Sequence, residues 1–220
     1  TTGQINVEFL KPQTQDPISV NAMINSELHA ELNVEGGWQI PLKEHEEHEE
    51  EEHEHGDHCK HKKLHTGILA HWQQGFMQMD ENHDSFYEMP KSTNINLANR
   101  WVYTDGKYTF QAFVRGLYDR RIGGQTTTRD SLDESGSLVS KQPIDNPYKI
   151  DLNTWRIDGY MKNGYIFNEE TGSSLGIIAA ASYHNQANRY GLREWNANQT
   201  NGYLNALTQF NFEGSPRLEM

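Results

Sequence analysis

Cysteine is all but absent. Cys59 is the only one in 220 residues, which excludes an intrachain disulfide and leaves the redox compartment open. Basic residues are also scarce: 19 Lys and Arg stand against 31 Asp and Glu, a formal net charge of −12. Phosphate backbones are bound by clustered cations, so this balance argues against a nucleic-acid partner. No apolar run approaches the ~18 residues that mark a transmembrane helix, but transmembrane strands are shorter and alternate, so a barrel is not excluded. Catalytic motifs are missing as well. There is no Gly-x-Ser-x-Gly, no His-Glu-x-x-His and no phosphate-cradling glycine loop, and no enzyme activity is expected. Gly123-Gly124 is better suited to a bend at a strand end than to a nucleotide. The chain opens on Thr1, with no leader or lipidation pattern ahead of its patterned segments, which reads as a processed chain or a fragment.

What is present is alternation of period two. Ala30, Leu32, Val34, Trp38 and Ile40 share one face, with Glu31, Asn33, Glu35 and Gln39 on the other. Tyr108, Phe110, Ala112, Val114 and Tyr118 repeat the pattern, as do Leu175, Ile177, Ala179, Ala181 and Tyr183. The spacing predicts about eight strands, at 17–25, 28–41, 64–79, 93–104, 107–122, 151–167, 173–187 and 200–213. Several are much longer than the ~5–6 residues common in globular sheets and long enough for the ~9–11 of a tilted membrane strand. Short turns at Thr104–Lys107 and Asn168–Ser173 alternate with longer polar segments at 80–92, 123–150 and 188–199. Trp38, Trp72, Trp101, Tyr103, Trp155 and Tyr165 fall near strand ends, where rings with a polar edge suit a membrane interface or, equally, a soluble sheet core.

One stretch stands apart. EHEEHEEEEHEHGDHCKHKK, Glu44 to Lys63, holds six histidines, Cys59 and nine carboxylates. Imidazole and thiolate suit Zn(II) and copper, and His45 with His48, His53 with His55, and His55 with His58 and Cys59 are close enough in sequence to chelate, with His61 a further candidate ligand. The composition offers no apolar anchor, so no fixed geometry follows; the bland reading is a solvated acidic loop. His65 and His71 on the next strand, with His29 and His184, would extend a line of ligands along one face, or be ordinary polar strand residues. A second candidate is Asp80, Asn82 and Asp84, an Asp-x-Asn-x-Asp start like a calcium loop. Ser85 stands where the turn glycine would be, and Lys91 where the closing carboxylate would be.

Four stretches point to a family. TTGQINVEFLKP (Thr1–Pro12) resembles the last plug strand of TonB-dependent outer-membrane receptors. ENHDSFYEMP (Glu81–Pro90), LYDRRIGGQ (Leu117–Gln125) and YHNQANRYGLREWNANQTNGY (Tyr183–Tyr203) resemble barrel segments of the receptor type found in Bacteroidetes. The resemblance runs along the whole chain in order. It implies that 1–12 is the end of a plug, and that 13–220 is the N-terminal part of a β-barrel carrying a His/Glu-rich insertion at 43–63. The expected fold is all-β: an antiparallel transmembrane barrel fragment of about eight long strands in an open, curved sheet, from a parent barrel of about 22 strands. The implied location is the outer membrane of a Gram-negative bacterium, with membrane lipid and, through a plug region missing here, the TonB complex as partners. No resident cofactor is required. The cargo favoured by the tract is a metal ion or metal complex, Zn or Cu foremost; siderophores, cobalamin and glycans are what the family at large carries. The implied orientation puts 80–92, 123–150 and 188–199 outside the cell and the histidine tract on the periplasmic side. The rival expectation is a secreted or periplasmic soluble β-protein that buffers Zn or Cu through the tract. The two differ on whether Ile18, Val20, Leu32, Val34, Ile177 and Ala179 lie under a second sheet.

Overall fold

A computed structural model of the chain describes residues 10–42 and 62–211. Ten strands and no helix make up those residues. In chain order they are β1 (Ser19–Ile24), β2 (His29–Ile40), β3 (Lys63–Gly75), β4 (Lys91–Asp105), β5 (Tyr108–Gly124), β6 (Thr128–Leu132), β7 (Leu138–Pro143), β8 (Lys149–Asn168), β9 (Ser173–Tyr190) and β10 (Arg193–Gln209). Eight of them form one antiparallel sheet in the order β1-β2-β3-β4-β5-β8-β9-β10, and β6-β7 is a separate hairpin within the β5–β8 connection. The sheet is open: β1 and β10 are its two edges and do not pair.

The turns follow from local chemistry. Gly106 (φ 47) and Gly191 (φ 62) each open a two-residue hairpin loop, the place where a left-handed residue matches the twist of the flanking strands. At Asn25 and Asn168 the side-chain amide oxygen accepts backbone N–H groups two to four residues on, stabilising the four-residue connections that follow.

Seven of the expected strands are found with shifted ends. The eighth is longer than expected, because 188–199 is not a long loop. β9 continues to Tyr190, and β10 begins after Gly191-Leu192. The amide-rich run Asn196–Gln199 is polar on both faces, which imitates a loop, but Asn198 pairs with Asn185 and Gln199 with His184 in regular register. The segment 123–150 likewise holds the β6–β7 hairpin rather than structureless chain.

Register sorts every side chain of the large sheet to one of two faces. One face carries Asn33, Glu35, Gly37, His65, Gly67, His71, Asn96, Arg100, Arg115, Asp158 and Asn201. The segment before β1 lies across it: a Cβ on Gly67 would sit 2.7 Å from Gln15 Oε1, and Arg100 Nη1 donates to the Leu10 carbonyl at 3.3 Å. This face is called the inner face. The described buried apolar side chains, Ala98, Val102 and Phe113, all belong to it.

The opposite face is apolar and bare. Val20, Leu97, Ile157 and Leu204 are 60%, 55%, 49% and 76% exposed, and each strand contacts only its neighbours in the sheet or hairpin, so among the described residues no second layer covers them. Aromatics flank this apolar zone in two bands. Trp72, Tyr118, Trp155 and Tyr183 lie toward the end that bears β6–β7; Trp38, Trp101, Tyr103, Tyr108 and Tyr165 lie toward the other. Trp155 and Tyr183 touch, with ring centroids 4.9 Å apart, and Tyr103 and Tyr108 are 6.1 Å apart.

Candidate functional site

The inner face and the loops at the β6–β7 end hold the candidate ligand groups. His45, His48, His53, His55, His58, Cys59 and His61 lie outside the described residues. The strands on either side of the tract pair directly, Ile40 with Leu64, so the tract leaves and re-enters the sheet at the end shared by the Gly106-Lys107 turn and residues 169–172.

His65 and His71 both sit on the inner face of β3, as alternation from the apolar Leu64, Ile68 and Ala70 requires. Six residues of extended chain separate them by about 20 Å, so they belong to different neighbourhoods. His71 Nδ1 is 2.7 Å from Asn33 Oδ1. The amide oxygen can only accept, so the ring donates through Nδ1. That histidine lines a cavity of about 410 Å³ with Asn21, Asn33, Glu35, Asn96 and Arg115. His29, two inward rows toward the β6–β7 end, has Nε2 3.4 Å from Glu31 Oε1 and 3.1 Å from Gln73 Nε2. His184 lies on the same face four strands from β3, where it pairs in register with Arg156, and its Nδ1 is buried without a hydrogen-bond partner. The structure gathers no three of these histidines into one cluster.

The calcium-like loop takes a different form from the one its spacing suggested. Carboxylate oxygens of Asp80, Asp84 and Glu88 come within 4.8 Å of one another. Asn82 turns to its own backbone instead: its Oδ1 accepts the Asp84 N–H at 2.9 Å, and its Nδ2 donates to Asp84 Oδ2 at 3.2 Å. Ser85 holds φ 74, the left-handed conformation a glycine supplies at that turn, and His83 holds φ 59. The acids also serve the loop itself. Asp80 Oδ2 accepts Ser85 N–H at 3.0 Å, Asp84 Oδ1 accepts Phe86 N–H at 2.8 Å, and Glu88 Oε2 accepts Glu81 N–H at 2.9 Å. Asp80 Oδ1 alone is buried with no partner. An all-oxygen set of this kind suits a hard cation such as Ca²⁺ rather than Zn or Cu.

This loop is docked on the neighbouring connection. Thr126 donates its N–H to the Ser85 carbonyl at 2.9 Å, Tyr87 N–H donates to the Gly124 carbonyl at 3.0 Å, and His83 Nδ1 lies 3.0 Å from Asp130 Oδ2 on β6. Lys141 on β7 approaches the other Asp130 oxygen at 3.7 Å. Glu88 and the His83–Asp130 pair were not visible in the spacing, since both depend on the two left-handed residues that fold the loop back.

Set against known families, characterised proteins and solved structures, the chain matches none.

Proposed function

We propose that the chain is part of the barrel wall of a TonB-dependent receptor that imports a metal ion or metal complex across the outer membrane. The observation that carries this reading is the bare apolar face bracketed by aromatic bands. Trp155 and Tyr165 stand ten residues apart on β8, and Tyr108 and Tyr118 ten apart on β5. Ten residues extend about 33 Å, which at a tilt near 40° spans about 25 Å, the height of the lipid-facing band of an outer-membrane barrel. In water, so continuous an apolar surface would be an aggregation liability. The buffering-protein alternative needs a second layer over Val20, Leu97 and Ile157, and the described residues supply none.

Connection lengths support an orientation. The two long, built-up connections among the described residues, 76–90 and 125–148, open at the β6–β7 end, as extracellular loops do, although 25–28 and Gly191-Leu192 at that end are as short as Gly106-Lys107 and 169–172 at the other. The histidine tract then falls on the periplasmic side, placed to receive or buffer metal that has crossed. The inner face, with His71 and its amide neighbours, is the wall such a cargo would pass, and TonB would act through the remainder of a plug of which Thr1–Pro12 resembles only the last strand.

Thiol labelling in intact cells tests this directly. With Cys59 replaced by Ser, a cysteine at Ser135 should react with an impermeant maleimide from outside, and one at Lys107 only after the outer membrane is opened. Equal labelling at both positions, or recovery of the protein in the soluble fraction, overturns the reading.

A further inference from the structure

Two concavities lie in line on the bare face of the sheet, along β8 and β9, and both are apart from the histidines and the loop at 80–88. The first is an apolar groove of about 660 Å³, lined by Gly159, Ala179 and Ala181 with Val114, Ile157 and Met161 beside them. Register puts these side chains on the bare face, between the levels of Trp155 and Tyr165. A Cβ on Gly159 would meet the Phe113 carbonyl oxygen at 2.6 Å, so glycine keeps the depression open. The second is a polar cavity of about 330 Å³ on the far side of the Trp155–Tyr183 pair, lined by Asp151, Asn153, Arg189, Glu194 and Asn196. These also belong to the bare face, since Asp151 pairs with Arg189, and Asn153 and Asn196 both pair with Ala187.

Their spacing is that of a lipid's two ends. Six residues of β8, about 20 Å of strand, separate Gly159 from Asn153. At a tilt near 40° this is about 15 Å of depth, one half of a ~30 Å hydrocarbon core. Trp155 and Tyr183, whose rings touch, stand where such a molecule changes from apolar to polar. The polar cavity also selects a head group. Its charges are spent on one another: Arg189 Nη2 donates to Glu194 Oε1 at 2.9 Å, and Asp151 accepts Nε and Nη2 of Arg120 at 3.2 and 2.9 Å. A phosphate therefore finds no surplus cation among the lining residues. The side-chain amides of Asn153 and Asn196 have no hydrogen-bond partner among the described residues. An amide both donates and accepts, as a sugar hydroxyl does, so uncharged hydroxyl groups are the natural complement.

We propose that this flank of the wall holds one saccharide-headed lipid of the outer leaflet, with an acyl chain in the groove over Gly159 and a sugar in the cavity at Asn153 and Asn196. The inference rests on the receptor reading, which puts the bare face in lipid and the β6–β7 end outside the cell. A phospholipid offers the same tail to the groove but brings a phosphate to a cavity whose cations are already paired.

The test is native mass spectrometry of the full chain, folded in detergent and titrated with diglucosyl diacylglycerol and, separately, with phosphatidylglycerol of the same acyl chains. The glycolipid should be retained at the lower concentration. Asn153→Ala and Asn196→Ala should each weaken its retention about fivefold, as loss of a hydrogen bond or two does, and leave phosphatidylglycerol unchanged. Ala181→Leu, which fills the groove with both amides in place, should also weaken glycolipid retention; unchanged strand content by circular dichroism qualifies each variant. The site is overturned if wild type retains the two lipids equally, or if the amide variants or Ala181→Leu hold the glycolipid like wild type. A chain recovered in the soluble fraction that still takes up the glycolipid through Asn153 and Asn196 removes the receptor and keeps the site. A membrane-embedded chain with its β6–β7 end outward and no preference for the glycolipid does the reverse.

Discussion

Gly37 and Gly67 face each other across β2 and β3, and the segment before β1 rests on the bare backbone they leave. A Cβ on Gly67 would meet Gln15 Oε1 at 2.7 Å and Pro12 Cγ at 3.2 Å, and one on Gly37 would run into the Pro12 carbonyl oxygen. Gly67→Val should therefore lift residues 10–16 from the wall, expose Arg100 and cost about 1–3 kcal/mol through overpacking. Limited proteolysis should show new cleavage near Lys11. Wild-type protection of that segment in the variant would count against the contact.

The two faces should respond oppositely to charge. Val114→Arg on the bare face should cost about 2–4 kcal/mol of folding stability in lipid vesicles if it lies at mid-bilayer depth. Ser182→Arg, on the inner face beside Asp158 in register, should cost little. Denaturant titration of each variant in vesicles measures the difference, and equal costs would mean that the faces have been assigned wrongly.

The tip of the β6–β7 hairpin is held by a carboxylate. Asp133 Oδ1 accepts the Ser135 hydroxyl at 2.6 Å and the Ser135 and Ser137 N–H groups at 2.8 and 2.9 Å. The Ser135 hydroxyl first, then the Ser137 N–H, hold the Asp133 carboxyl below its ordinary 3.8. A carboxyl lowered in the folded state stabilises the turn above its unfolded value, and that contribution disappears as pH falls through the lower, folded value. Ser135→Ala should bring Asp133 back toward 3.8, and carbon-detected NMR titration of the Asp133 carboxyl should show that upward shift. Asp133→Asn should lower the exchange protection of the Ser137 amide above pH 4 to the level wild type reaches only in acid.

The histidine tract should bind Zn(II) or Cu(II) with micromolar or better affinity, in a competition titration against a chelator. Ligation needs neutral imidazole, so affinity should fall as pH drops through ~6.5. Replacing His53, His55, His58 and Cys59 by alanine should remove most of the binding. Failure to compete at all at pH 7.5 would leave the tract as a solvated acidic loop.

Much of the sheet was legible because its two faces differ so sharply. Leu32 between Glu31 and Asn33 states both strand and face, and a one-residue slip would invert the pattern. Legibility failed where both faces are polar. Asn196–Gln199 lies at the Trp155–Tyr183 band and past it, where Asn198 accepts from the Tyr183 hydroxyl, so its alternation vanishes while its pairing persists. The loop at 80–88 was half legible: Asp80 and Asp84 meet as their spacing suggests, but Glu88 joins them only because His83 and Ser85 adopt left-handed turns. Arg115 and Asp158 could not be paired from sequence, since their contact depends on the register of β5 against β8, 43 residues apart.

The sheet's order also describes how it can be built. Each strand pairs with the one before it in the chain, apart from the β6–β7 excursion, so the sheet can lengthen hairpin by hairpin with short closures at most steps. The surface on which each new strand condenses is the edge left by the last. β10 is such an edge, and from Trp195 to Gln209 it has neither a charge nor a proline to repel a newcomer. Whatever strand meets it first, its own or a stranger's, is offered a template fifteen residues long, which makes timing and chaperoning of that encounter part of what this sequence demands.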